Sequence, residues 1–404
     1  MRDHPDSAQV RRETGLQDEC ALHESAYFHV TENYVFDAMH DFYEGIVPYE
    51  VKLVLKHYVQ IGLFDVDFLN RRIHSFAYGI TEVKNKPSSN FTLSGLQNAL
   101  HDHKLKQKSA QMTLLLRALP FLLSDKVPDN DAHMRILLLF SDILSIVFVP
   151  KIHAGTLATL PILIREHSAM FKELFPEASF INKHHHVEHY PLFMKKMGPA
   201  ATIHGCIRYE GKHHDLARHG SVCCNFRNLP KTLARVVQIV QTRYWGDPQV
   251  SVWDQIEVHG GEKRVVADLP FCNELVAGFE VNAGDQVFLP NTVEVRGTEY
   301  RRNVFVLIRT GMETEDSLPI FGRIVDIFVV HSTSVVLVVN EWTILYFEES
   351  LRSYAIHEQG DSVASNRTTL VLTSDLPDYR TMSTWKSFRD GDANIYVCPR
   401  TSFF

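Results

Sequence analysis

Apolar residues recur at helical spacing through the first half of the chain and gather in short β-rich runs through the last third. The apolar and β-branched run at 28–36 predicts a strand, and the stretch 46–61 behind it predicts a helix, with Pro48 suited to its first turn. Between about 62 and 178 the segments LSGLQNALHDHK, SAQMTLLLRALPFLLS, DAHMRILLLFSDILSIVFV and LATLPILIREHSAMFKELF each carry an amphipathic or wholly apolar stripe, so an all-helical block is expected, broken by a Pro/Ser/Asn-rich loop at 85–90. A second α/β segment is expected at 179–245. After about 246 the pattern changes to VFLPNTVEVRGTEY, NVFVLIRT, FGRIVDIFVVH, SVVLVVNEWTILYF and TTLVLTS, separated by turn residues, which predicts a β-rich domain, a small antiparallel barrel or sandwich, over 246–404. Residues 1–27 are polar, lack apolar periodicity and are expected to be loosely ordered.

A 404-residue chain with 45% hydrophobic residues can bury a core in two or three domains. Its formal net charge of −7 excludes a protein whose whole surface is a nucleic-acid footprint, because phosphate affinity needs clustered Lys and Arg; any DNA contact must be local. Six scattered cysteines, with no CxxC pair, read as reduced thiols of an intracellular protein, nuclear or cytoplasmic and not secreted. The polar start has no apolar signal core. The most apolar stretch, 134–164, is broken by Asp142, Pro150, Lys151, His153 and Pro161 and falls short of the roughly 20 apolar residues of a membrane helix. A buried helix pair is expected instead.

Two clusters carry candidate chemistry. Asp37 and His40, followed by Asp41 and Glu44, put carboxylates and an imidazole within about two helical turns, a set that can hold a divalent metal. A polar helix entry capped by Asp37 is the plainer reading of the same residues. Further on, Arg208, Tyr209, Glu210, Gly211, Lys212, His213 and His214 place Glu210, His213 and His214 on one face if the segment is helical. Such a glutamate beside basic side chains suits one carboxylate of a two-metal phosphoryl-transfer site, although a charged surface helix fits equally simple rules. The run from Lys183 to His189 holds four histidines without the HExxH spacing of zinc hydrolases, and it predicts a basic edge strand or loop rather than a zinc site. Around Lys231 a basic amphipathic helix offers DNA-backbone contacts or a plain surface.

Taken in order, four blocks over about 28–240 resemble one family. FHVTENYVFDAMHDFYEGIVPYEVKLVL is similar to the Asp-x-Met-His segment of CACTA/EnSpm-type DNA transposases, especially copies in animal genomes. NKHHHVEHYPLFMKKMGP resembles their Lys-x-His…His-Tyr-Pro…Gly-Pro block, IRYEGKHHDLARHG their Arg-Phe-Glu-x-Lys-His segment, and NFRNLPKTLA their Asn-Phe-Lys-Asn…Thr-Leu-Ala. VRGTEYRRNVFVLI and SLPIFGRIVDIFVV resemble the C-terminal region of the same proteins.

The resemblance implies a partial ribonuclease-H-like core at 28–61 and 179–245, interrupted by an all-helical insertion at 62–178 and followed by the β-rich domain. In that family three acids hold two Mg²⁺ or Mn²⁺ ions that activate water and then a 3′ hydroxyl on transposon-end DNA. By position Glu210 matches the third acid and metal ligand, and Asp37 and His40 match the Asp-x-x-His signature. Lys183, Arg208, Lys212, His213, Arg218, Arg227 and Lys231 are the DNA-backbone candidates.

Two features depart from the pattern. Gly211 lowers the propensity of the Glu210 helix by about 1 kcal/mol relative to Ala. The family's first two catalytic aspartates lie upstream of Asp-x-Met-His, where Asp3, Asp6 and Asp18 sit in no strand-like setting. The expectation is an N-terminally truncated, catalytically incomplete chain that binds no ion tightly, with Asp37 as the second acid in the alternative. A co-opted module that binds protein partners through its helical block or β tail is the competing expectation.

Overall fold

The computed structural model describes residues 9, 21–29, 32–97, 105–149, 152, 154–199, 205–224, 227–246, 256–311, 318–331, 334–356 and 367–400. Among the described residues, the elements before residue 256 are helices. A π-helical turn, Met39–Ile46, runs without a break into α1, Val47–Gln60, with Pro48 in its first turn. Then come α2, Val66–Ser75, α3, Leu93–Gln97, α4, Ser109–Leu122, α5, Ala132–Val147, and α6, Ala154–Leu174. Asp65 and Asp131 cap α2 and α5 by accepting backbone N–H bonds from Phe68 and Met134. The stripe Leu160, Ile164, His167 and Phe171 is the buried face of α6, at the spacing that keeps one side of a helix inward. By contrast, α5 is buried nearly all round. It packs against α1, α4 and α6 on one side. On the other, Arg352 of the C-terminal region clamps its Asp142 with bonds of 2.9 and 2.7 Å. The helical block expected at 62–178 is therefore present, and 134–164 supplies α5 and part of α6. Among the described residues no helix is long and apolar enough to cross a membrane.

The strand expected at 28–36 does not form. Its described residues are turn, bend and irregular chain, with the His29 carbonyl accepting from the backbone N–H groups of Glu32 and Asn33, and among the described residues no strand precedes Ile256. The apolar character there has a different use: Phe36 stacks on His186 at 4.6 Å between ring centroids. The segment 179–245 is likewise helical where described: α7, Asn182–Val187, α8, Tyr190–Met197, α9, Ile207–Cys223, and α10, Leu229–Gly246. The run of histidines thus starts on a short helix, where an edge strand or loop was expected.

From Ile256 onward the chain is β-rich, as its short β-rich runs predict, with a short helix α11, Cys272–Gly278. The first strands are β1 Ile256–His259, β2 Glu262–Val265, β3 Gln286–Leu289, β4 Thr292–Val295, β5 Thr298–Arg301 and β6 Phe305–Arg309. Two long strands follow, β7 Ile320–Val330 and β8 Ser334–Trp342, and then β9 Ile344–Glu348, β10 Ser353–Ile356, β11 Thr368–Leu372, β12 Asp378–Met382, β13 Thr384–Trp385 and β14 Ile395–Val397. They pair antiparallel in three sheets, ordered β1-β4-β5, β13-β14-β10-β9 and β11-β8-β7-β3-β2, with β6 joined to β7 and β12 to β6. No closed barrel forms among the described residues.

The four-stranded sheet shares its core with the helical block. Trp385 is 2% exposed and sets its ring edge-on to Phe76 and Phe121, at 5.6 and 5.2 Å, while its indole N–H donates to the Tyr78 carbonyl at 2.9 Å. Glu82, 4% exposed, accepts from Arg117 at 3.0 Å and from Arg400 at 2.8 Å, which ties the segment before α3 to α4 and the chain end beyond β14. Truncating Trp385 to Ala empties the shared core. A loss of about 3–5 kcal/mol is expected, read as one lowered urea midpoint for both the helical circular-dichroism signal and the β-sheet signal.

Candidate functional site

The π-helical turn organises the site. Buried Met39, Asp41, Phe42, Gly45 and Ile46 face the core, which leaves His40 and Glu44 on the solvent side. The widened turn exposes its carbonyls, and Lys183 of α7 answers them: its ammonium donates to the His40 carbonyl and lies 3.5 Å from that of Glu44. Gly45 makes that approach possible, since a Cβ there would come within 2.2 Å of Lys183 Cδ. Asp41, 5% exposed, accepts from His186 Nδ1 at 2.9 Å and from the Tyr190 hydroxyl at 3.1 Å. Burial first, and the Asp41 charge second, hold the Tyr190 phenol above its ordinary pKa.

Beneath the turn lies a buried carboxylate held by two imidazoles. Glu50 of α1, fully buried, bonds His167 of α6 at 2.9 Å and His184 of α7 at 3.1 Å. His184 Nδ1 accepts the Ile181 backbone N–H at 3.1 Å, so its proton sits on Nε2, facing Glu50. Burial alone would raise the Glu50 pKa, but the two imidazoles outweigh it and hold the carboxyl below the ordinary glutamate range.

At the surface, the two sequence clusters meet. Asp37 lies just ahead of the turn, and Cys206 lies just ahead of α9, whose first turn carries Glu210. Asp37 Oδ1 accepts the Cys206 backbone N–H at 3.1 Å, and Oδ2 accepts the Cys206 thiol at 2.8 Å and a short bond from His40 Nδ1. Cys206 Sγ is 3.3 Å from His40 Nδ1. On the other edge of the imidazole, Nε2 is 3.5 Å from Glu210 Oε1 and 3.8 Å from Glu44 Oε2. Burial opposes ionisation of Asp37, yet the thiol and the imidazole prevail and lower its pKa. The hydrogen bond to Asp37 raises that of His40, and burial, then Asp37 and Glu210, push the Cys206 thiol up to about 12.

Asp37, His40 and Glu210, singled out on sequence, therefore converge. The basic candidates do not converge with them as a group. Lys183 spends its ammonium on the turn carbonyls, while His213 and Arg218 on α9, Arg227 between α9 and α10, and Lys231 on α10 are exposed. Arg208 and Lys212 belong to α9, but their side chains fall outside the described residues. Sequence reasoning missed Cys206, whose spacing of four from Glu210 was the available signal, and missed the partners of Asp41 and Glu50, which no local spacing reveals. Comparisons with family models, with curated proteins and with solved structures find no match.

The buried Glu50 carboxylate makes a pH-dependent prediction. A carboxyl whose pKa is depressed on folding contributes stability in full above its unfolded value and loses it as pH falls through the folded one. Acid should therefore drain the Glu50 contribution below about pH 4.5. Glu50→Gln should lower unfolding free energy by about 3 kcal/mol at neutral pH and flatten that acid limb, measured as denaturant midpoints against pH.

Proposed function

We propose that this chain is a transposon-derived protein of the CACTA/EnSpm type, ancestrally a Mg²⁺- or Mn²⁺-dependent DNA strand transferase and catalytically incomplete as it stands. One observation carries the reading. The Asp37-x-x-His40 segment and the Glu210 segment, each of which resembles a separate block of that family, meet in space: Cys206 and His40, 166 residues apart, lie 3.3 Å from each other, and Glu210 lies 3.5 Å from His40. In this reading the π-turn, α1 and α7 to α10 are segments of a ribonuclease-H-like core, the block between them is its helical insertion, and transposon-end DNA would run along the exposed His213, Arg218, Arg227 and Lys231.

Incompleteness is argued from the site itself. Two-metal displacement needs carboxylates that bridge ions roughly 3.5–4 Å apart. Here both Asp37 oxygens are engaged by Cys206 and His40, and Glu210 and Glu44 face an imidazole rather than each other. The competing reading, a co-opted protein-interaction module, draws on the acidic net charge of −7.

Incubation of the purified chain with terminal-repeat DNA and Mg²⁺ or Mn²⁺ should give no nicking above that of Glu210→Gln. Robust nicking that Glu210→Gln abolishes would overturn incompleteness. DNA affinity should fall steeply with salt, with a shallower slope after Arg218→Ala and Lys231→Ala; salt-insensitive or absent DNA binding would favour the interaction module.

A further inference from the structure

The donor set around His40 is chemically unlike a magnesium site. Magnesium takes hard oxygen ligands in near-ideal octahedra, whereas thiolate and imidazole select borderline and soft cations, zinc above all in cells. Asp37, His40 and Cys206 offer one oxygen, one nitrogen and one sulfur, all within 4.8 Å of one another. We propose that these three side chains form a zinc site, with Glu210 as the outer carboxylate that orients His40.

Four features of the geometry support it. First, tetrahedral zinc with Zn–S near 2.3 Å and Zn–N or Zn–O near 2.0 Å sets ligand-to-ligand edges of about 3.3–3.6 Å. The sulfur already stands 3.3 Å from His40 Nδ1 and 2.8 Å from Asp37 Oδ2, so small outward movements of three side chains admit the ion. Second, His40 presents Nδ1 to the cluster and Nε2 to carboxylates, at 3.5 Å from Glu210 and 3.8 Å from Glu44. A metal-bound histidine characteristically gives its other ring N–H to a carboxylate, which fixes the tautomer and strengthens the donor. Third, the donors come from two segments, Asp37 and His40 at the π-turn and Cys206 at the start of α9, so an ion would staple Glu210 and its helix to the turn. Fourth, the cluster is reachable, with His40 46% and Asp37 24% exposed on their side chains. That exposure leaves the fourth coordination position open to water or another oxygen ligand. On binding, the thiol proton now donated to Asp37 passes to buffer and the sulfur bonds the ion as thiolate.

This assignment rests on donor geometry and not on the transposase reading. It replaces the expectation of no tightly bound ion, which was formed without Cys206. Among the described residues two other groups of donors compete for a cation: exposed Glu257 and His259 with half-buried Glu294 on β1 and β4, and the pair His185 and His189, whose Nε2 atoms are 3.1 Å apart. Neither contains sulfur, and that difference makes the test decisive.

The full chain, stripped of metal with a chelator, is titrated with Co²⁺ as a spectroscopic stand-in for zinc. A thiolate-to-cobalt charge-transfer band that saturates at one equivalent and is displaced by one equivalent of Zn²⁺ is expected. Cys206→Ser should abolish the band, and Cys223→Ser should leave it intact. Glu210→Gln should keep the band but weaken binding roughly 10–100-fold, as loss of an outer carboxylate does. Circular dichroism of each variant separates lost ligation from lost folding, and the wild-type band stands as evidence even if Cys206→Ser does not fold. Absence of the band in wild type, its persistence in folded Cys206→Ser, or cobalt binding without a thiolate band would each overturn the assignment. Nicking activity enters none of these readouts, so the zinc site and the transposase reading can fail separately.

Discussion

Glu50 is the charge on which the N-terminal architecture depends. A lone carboxylate at zero exposure is prohibitive, since its desolvation in a low-dielectric interior costs several kcal/mol even after relaxation. The fold answers with two imidazoles, His167 from α6 and His184 from α7, and in doing so fixes three helices against one another. Because α1 continues straight out of the π-turn, whatever holds Glu50 also holds the turn. Because α7 also carries Lys183 and His186, the same contact delivers an ammonium to the turn carbonyls and a ring nitrogen to Asp41. The exposed constellation of Asp37 and His40 is thus the outer end of a chain of contacts that begins at a buried carboxylate.

Periodicity explains which parts of this architecture were legible in the sequence. The stripe of α6 reports burial on one face, and the continuous apolar runs of α5, β7 and β8 report burial nearly all round, each a local property of the chain. The run at 28–36 misled because Phe36 and its neighbours are apolar for a different partner: a ring stacked on His186 needs no sheet. The four histidines after Lys183 gave no usable period, since His184 turns inward to Glu50, His186 to Asp41, and His185 pairs with His189 at the surface. Equally hidden was the union of the four-stranded sheet with the helical block. The contacts of Trp385 with Phe76 and Phe121 span roughly 260–310 positions, and a long-range pairing leaves no trace in local spacing.

The site was legible as residue types and order, not as contacts. Asp37, His40 and Glu210 stand in family-like blocks, and the fold brings them within a few ångströms. Cys206 offered only its spacing of four from Glu210, a signal with meaning once the segment is known to be helical, yet its backbone N–H and its sulfur both bind Asp37 and thereby attach α9 to the turn. Several basic residues that looked like a phosphate track divide into different roles. Lys183 is structural, while Arg218 and Lys231 point to solvent.

The electrostatics of the cluster bear on how DNA and a cation could meet there. Three carboxylates surround one imidazole: Asp37 bonds Nδ1, and Glu210 and Glu44 lie 3.5 and 3.8 Å from Nε2. Such a concentration of negative charge repels a phosphate, and the protonated thiol at its centre offsets none of it. The exposed cations of α9 and α10 lie further along the chain, so they can attract a nucleic-acid backbone without neutralising the cluster. A divalent ion held by Asp37, His40 and Cys206 lessens that repulsion without reversing it, because the thiolate formed on binding sets one new negative charge against the ion's two. Metal occupancy and close approach of a phosphate at Glu210 are therefore coupled by charge alone.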